Sequence, residues 1–77
     1  MKVGVLNILI MAKIQLNGRK LDLKNKYSIA TLLKKYKIDV KKVAVELNGK
    51  IINRSKYKSI NIKNKDKVEI VHFIGGG

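Results

Sequence analysis

Seventy-seven residues without a cysteine make one small domain, near the lower limit for a core that holds without staples. They leave no disulfide framework, thiolate nucleophile or thiolate metal site. The formal charge of +13, from 18 Lys and Arg against 5 Asp and Glu, raises the question of a nucleic-acid partner, since basic chains gain affinity by releasing counterions. The charge is nearly all Lys and is spread along the chain, while Tyr27, Tyr36, Tyr57 and Phe73 are too far apart for a stacking platform. The pattern therefore reads as a solvated basic surface and argues against nucleic acid.

In chain order, residues 1–10, MKVGVLNILI, come first. With the next two residues they hold the longest apolar stretch, which is too short for a bilayer and is interrupted by Asn7. No small-residue cleavage site marks it as a signal peptide, so the expectation is a cytoplasmic chain with no membrane partner. The segment reads either as an alternative start ahead of Met11 or as an extension of the first strand. Leu6, Ile8 and Ile10 are in phase with Ala12, Ile14 and Leu16.

Asn17-Gly18 then marks a two-residue hairpin turn, because both central positions of that turn favour positive φ. The arithmetic pairs Leu16 with Arg19, Ile14 with Leu21 and Ala12 with Leu23, which places the apolar residues on one face. Ser28 is a suitable helix N-cap, and Ile29, Leu32, Leu33 and Tyr36 recur at the spacing of one helical face. Lys34, Lys35 and Lys37 suit the negative end of that helix. Asn48-Gly49 predicts a second hairpin pairing Leu47 with Lys50, Val45 with Ile52 and Val43 with Arg54. Residues 53–66 read as a loop with a short helical turn. KVEIVHFI is apolar on both faces over much of its length, which places it centrally in a sheet. Strand, strand, helix, strand, strand, loop, strand describes an α+β domain, a β-grasp or ubiquitin-like roll over residues 11–74. Residues 75–77 form a glycine tail.

Gly75, Gly76 and Gly77 have no side chains to anchor them, so either they are inert or the lack of side chains is itself useful. Read from Met11, the chain resembles the ThiS family of sulfur carriers. The resemblance covers residues 13–77 and is carried by IQLNG at 14–18, Ile29, Leu32 and Leu33, VAVELNG at 43–49, Arg54-Ser55 with Tyr57, and DKVEIVHFIGGG at 66–77. It implies that Gly77 accepts sulfur as a thiocarboxylate and that Gly75 and Gly76 give access to an enzyme's active site. It implies no bound cofactor and no catalysis by the chain itself. A ubiquitin-activating-like (ThiF-like) adenylyltransferase would use ATP and Mg²⁺, sulfur would come from a cysteine desulfurase, and thiazole synthase would receive it for the thiazole of thiamin.

Alternatives at this point are the small subunit of molybdopterin synthase, a ubiquitin-like conjugated or binding module, and an inert tail. Two departures stand out: Lys37 and Lys65 occupy positions where the family commonly has glycine. If those positions need positive φ, each lysine costs on the order of 1 kcal/mol. Val71, Phe73 and Ile74 are the candidates for partner docking; the burial habits of strands favour core for Val71 and Ile74 and contact for Phe73. His72, the single histidine, reads as filling space in a strand and not as a base. The basic surface predicts acidic patches on the partners and association rates that fall with salt.

Overall fold

The structure is a computed structural model that describes residues 10–74. Both Asn-Gly pairs form the expected turns, with positive φ at Asn17 (50°), Gly18 (79°), Asn48 (53°) and Gly49 (85°). Strands β1 (Ala12–Leu16) and β2 (Arg19–Leu23) pair in the register read from the sequence, Ala12 with Leu23, Ile14 with Leu21 and Leu16 with Arg19. The second hairpin, β3 (Val43–Leu47) with β4 (Lys50–Ile51), follows its predicted register only at the turn. The Ile52 amide still donates to the Val45 carbonyl at 2.9 Å, but Arg54, expected opposite Val43, lies in a 3-10 turn over Arg54–Lys56. The cause is local. Asn53 Oδ1 accepts the Ser55 amide at 3.0 Å and starts that turn in place of a longer ladder.

Helix α1 (Ile29–Lys35) begins at Ser28 with a reciprocal cap: Ser28 Oγ accepts the Thr31 amide and Thr31 Oγ1 accepts the Ser28 amide. Ile29, Leu32 and Leu33 are buried. Tyr36, predicted on the same face, is instead the C-cap and exposed. The helix stops there because Lys37 turns left-handed (φ 58°), so that the Lys37 amide donates to Lys34 and the Ile38 amide to Leu33. That is a Schellman ending, which normally has glycine at this position. Lys65, in the turn before the last strand, is also left-handed (φ 72°), so both departures fall where positive φ is required. Lys37→Gly and Lys65→Gly are each expected to stabilise the fold by about 0.5–1 kcal/mol, the left-handed strain relieved less the extra freedom of glycine when unfolded. Urea unfolding of the double variant checks this; an unchanged or lower midpoint would contradict it.

Strand β5 (Lys67–His72) is central in a five-stranded sheet of order β2-β1-β5-β3-β4, parallel to β1 and antiparallel to β3. The helix covers one face. Ala12, Ile14, Leu23, Val43, Val45, Val68 and Ile70 form the buried core with Ile29, Leu32 and Leu33, closed by Tyr57 and Ile62 from the long loop. The architecture is the β-grasp.

The two turn asparagines also hold β5. β1 pairs with β5 only at Gln15–Lys67 and Leu16–Val68 before the chain turns back. There Asn17 Oδ1 accepts the Ile70 amide at 2.7 Å and Asn17 Nδ2 donates to the Ile70 carbonyl at 3.2 Å, so its carboxamide replaces the missing backbone. On the other side, Asn48 Oδ1 accepts the Lys67 amide at 2.8 Å and Nδ2 donates to Asp66 Oδ1 at 2.9 Å. The start and middle of β5 are thus fixed from both neighbours.

Candidate functional site

The site is the exit of β5. Side chains alternate along a strand, so Val68 and Ile70 point into the core while Lys67, Glu69, Val71 and Phe73 lie on the face opposite the helix. Glu69 pairs with Glu46 and Val71 with Ala44, and the Phe73 amide donates to the Lys42 carbonyl at 2.9 Å. That last bond carries the ladder one residue past the strand. Lys42 is placed by a 3-10 turn (Val40–Lys42) whose N-cap Asp39 accepts the Lys41 amide at 2.9 Å.

Val71 is 52%, Phe73 50% and Ile74 97% exposed. The core assignment expected for Val71 and Ile74 fails. Val71 lies on the sheet face that no second layer covers among the described residues, and Ile74 lies beyond the last ladder bond. Together with Ala44 and the exposed Ile51 of β4 they give this end of the open face an apolar character. His72 is also exposed, on the edge of the site. Gly75, Gly76 and Gly77 lie outside the described residues, as do residues 1–9 of the expected N-terminal segment.

The open face has two unlike ends. Around the start of β5, Lys13, Lys20, Lys65 and Lys67 line an open depression of about 690 Å³, relieved only by Asp22 opposite Lys13. Toward the exit, a row across three strands reads Glu69, Glu46, Ile51. Two carboxylates directly opposite each other disfavour the sheet in isolation. The chain carries 5 acidic residues in all, and Asp39 and Asp66 are committed to turns. Sequence reasoning missed this pair because its partners are set by the β3–β5 register, which no local pattern encodes.

The exit has little chemistry of its own. Among the described residues no group of three His, Cys, Asp or Glu could hold a metal ion, and no helix is long and apolar enough to cross a membrane. The depression lies about 20 Å from Phe73 along β5, at roughly 3.3 Å per residue. What the arrangement offers is presentation: a central strand bonded on both sides, with exposed apolar side chains at its end.

The chain is similar to known proteins in sequence and in fold. The ThiS family model matches residues 8–77. The chain is 40% identical over 65 residues to the sulfur carrier protein ThiS of Bacillus subtilis (strain 168), covering 83% of this chain and 98% of that protein. It is 38% identical over 65 residues to the thiazole synthase of Paramagnetospirillum magneticum (strain ATCC 700264 / AMB-1), where it spans only 20% of the longer chain. Among solved structures, the crystal structure of a thiamine biosynthesis protein (ThiS) from Geobacter metallireducens superimposes with a TM-score of 0.74 at 29% identity. It covers 84% of this chain and 99% of that one.

Proposed function

The chain belongs to the ThiS family, the sulfur carriers of thiamin biosynthesis, and on that premise we propose that it carries sulfur as a thiocarboxylate on Gly77 and delivers it to thiazole synthase. A carboxylate is a poor electrophile because substitution at its carbon must expel oxide. A partner adenylyltransferase corrects this by joining the carboxylate to the α-phosphate of ATP with loss of pyrophosphate, Mg²⁺ offsetting the phosphate charge. The persulfide that a desulfurase forms from cysteine then displaces AMP at the acyl carbon, and a thiol reductant cleaves the resulting acyl disulfide to leave the thiocarboxylate. The carrier supplies no acid, base or metal; it supplies the acyl group.

The observation that carries this reading is the exit of β5, where a strand fixed in the middle of the sheet leads through Val71, Phe73 and Ile74 into Gly75–Gly77. Glycines allow the acid group to enter two different active sites and put no branched Cα beside the carbonyl under attack. The match to part of a longer thiazole synthase supports the choice of acceptor, since carrier-like and synthase sequences there share one chain. The sequence contains no cysteine, so the chain has no thiol to capture the activated carbonyl.

The test is intact mass spectrometry after incubation with ATP, Mg²⁺, a cognate adenylyltransferase, a desulfurase, cysteine and a thiol reductant. The expected result is one oxygen-to-sulfur exchange, reversed when thiazole synthase and its small-molecule substrates are added. Loading without reversal would keep the carrier chemistry and refute the acceptor. A docking role for Phe73 makes a separate prediction. Phe73→Asp, at an exposed site, should leave the unfolding midpoint within about 0.5 kcal/mol of the parent. The same change should lower kcat/KM for loading or delivery about tenfold or more, as expected for an interface anchor worth over 1 kcal/mol. Unchanged kinetics in both reactions would remove Phe73 from the docking surface.

A further inference from the structure

The β1 side of β5 changes character at Ile70. In the parallel ladder, the Asn17 amide donates to Val68 O at 2.9 Å, and Asn17's carboxamide then takes both main-chain groups of Ile70. Beyond it β1 has turned away. On the β3 side the bonds fall at odd positions: Lys67 O accepts from Asn48, and the Phe73 amide donates to Lys42 O, which makes Val43–His72 a non-hydrogen-bonded pair. The N–H and C=O of His72 therefore point to the vacated β1 side. Among the described residues, no hydrogen bond reaches them. They are the next rung of a ladder that the protein itself stops with a side chain.

We propose that this rung is completed by an extended segment of thiazole synthase, which adds as a strand beside His72 and Ile74 and so aims the tail. The inference rests on the carrier reading above. An extended chain spans at most about 3.6 Å per residue, so an enzyme holding the acyl carbon of Gly77 lies within about 18 Å of His72 along the tail. The open rung is thus inside any productive interface. Main-chain pairing at an exposed edge gives affinity without demanding particular side chains, and the exposed Val71 and Phe73 alongside it supply apolar contact. A second copy of the chain fits poorly, because two bodies of formal charge +13 repel. The relative that carries a similar segment within a thiazole synthase favours that enzyme as the occupant.

Amide hydrogen exchange on the full chain, free and with thiazole synthase, reads the rung directly. The His72 and Ile74 amides should exchange fast in the free chain and at least about tenfold more slowly in the complex, while Phe73, already bonded to Lys42, changes less. A second test separates main chain from side chain. His72→Pro deletes the outward N–H but leaves the bonds of Val71 and Phe73 toward β3, and should lower delivery at least about tenfold. His72→Ala keeps the N–H and should lose less delivery than His72→Pro, whereas equal losses would overturn the pairing. If His72→Pro does not fold, the exchange pattern decides alone.

Delivery at full rate with His72 and Ile74 unprotected overturns the strand pairing and leaves the carrier reading intact. Failure to load or deliver any sulfur overturns both. Protection that appears only with the adenylyltransferase, or with rising concentration of the chain alone, assigns the rung to another occupant and also refutes the proposal.

Discussion

Deleting Gly77 is expected to abolish productive sulfur loading while leaving the fold untouched. The deletion moves the terminal acid back by one residue, about 3.6 Å, and a misplacement near 1 Å already costs about a hundredfold when reacting groups must be held in line. Loss of three orders of magnitude or more in the loading rate follows. Appending one alanine after Gly77 should be as damaging, because the new terminus overshoots and brings a branched Cα to the carbon under attack. Neither change reaches the core, whose buried members all lie between Ala12 and Ile70. Thermal unfolding of both variants should match the parent. Loading at the parental rate by either variant, without clipping or repair of its end, would mean that the terminal acid is not the reacting group.

Leu32→Ala makes the opposite prediction: a large loss of stability at a position remote from the chemistry. Leu32 is fully buried under the sheet, on the helix that covers it. Removing three carbons there loses their transfer free energy and leaves a cavity, together about 2–5 kcal/mol. A chain of 77 residues has roughly 4–12 kcal/mol in total, at about 0.05–0.15 kcal/mol per residue. The variant should therefore lose a large part of its stability, and its melting point should fall by about 10 °C or more. Val71→Ala, half-exposed on the open face, should cost under about 0.5 kcal/mol. A core assignment for Val71 would bring the two losses close together, so the comparison tests which face of β5 is packed.

The same contrast shows what could be read from the chain. The hairpins were legible because Asn-Gly demands positive φ at two adjacent residues, and the first register followed from it without error. The helix start was legible from Ser28. Its end was not: Tyr36 kept the helical spacing, yet a left-handed lysine closed the helix in front of it. The family resemblance had marked Lys37 and Lys65 as glycine-like positions, which periodicity alone does not. Asp39 and Asn53 each start a 3-10 turn by a side-chain bond two residues on, and the first of these turns was missed. Exposure of Val71 was illegible because alternation tells which residues share a face, not whether a second layer covers it. The bonds from Asn17 to Ile70 span 53 positions and exist only after β1 and β5 meet. The glycine run was the plainest feature of the candidate site, and its significance came from resemblance.

The most direct test of the central claim is fragmentation mass spectrometry of the sulfur-loaded chain. The sequence has no cysteine, and its sulfur is confined to Met1 and Met11, far from the tail. Sulfur gained on loading should appear only in C-terminal fragments, narrowing to the one that contains Gly77 alone. Added sulfur in a fragment that ends before Gly75, or a chain that delivers sulfide while its terminal fragment keeps the mass of a simple carboxylate, would contradict the account.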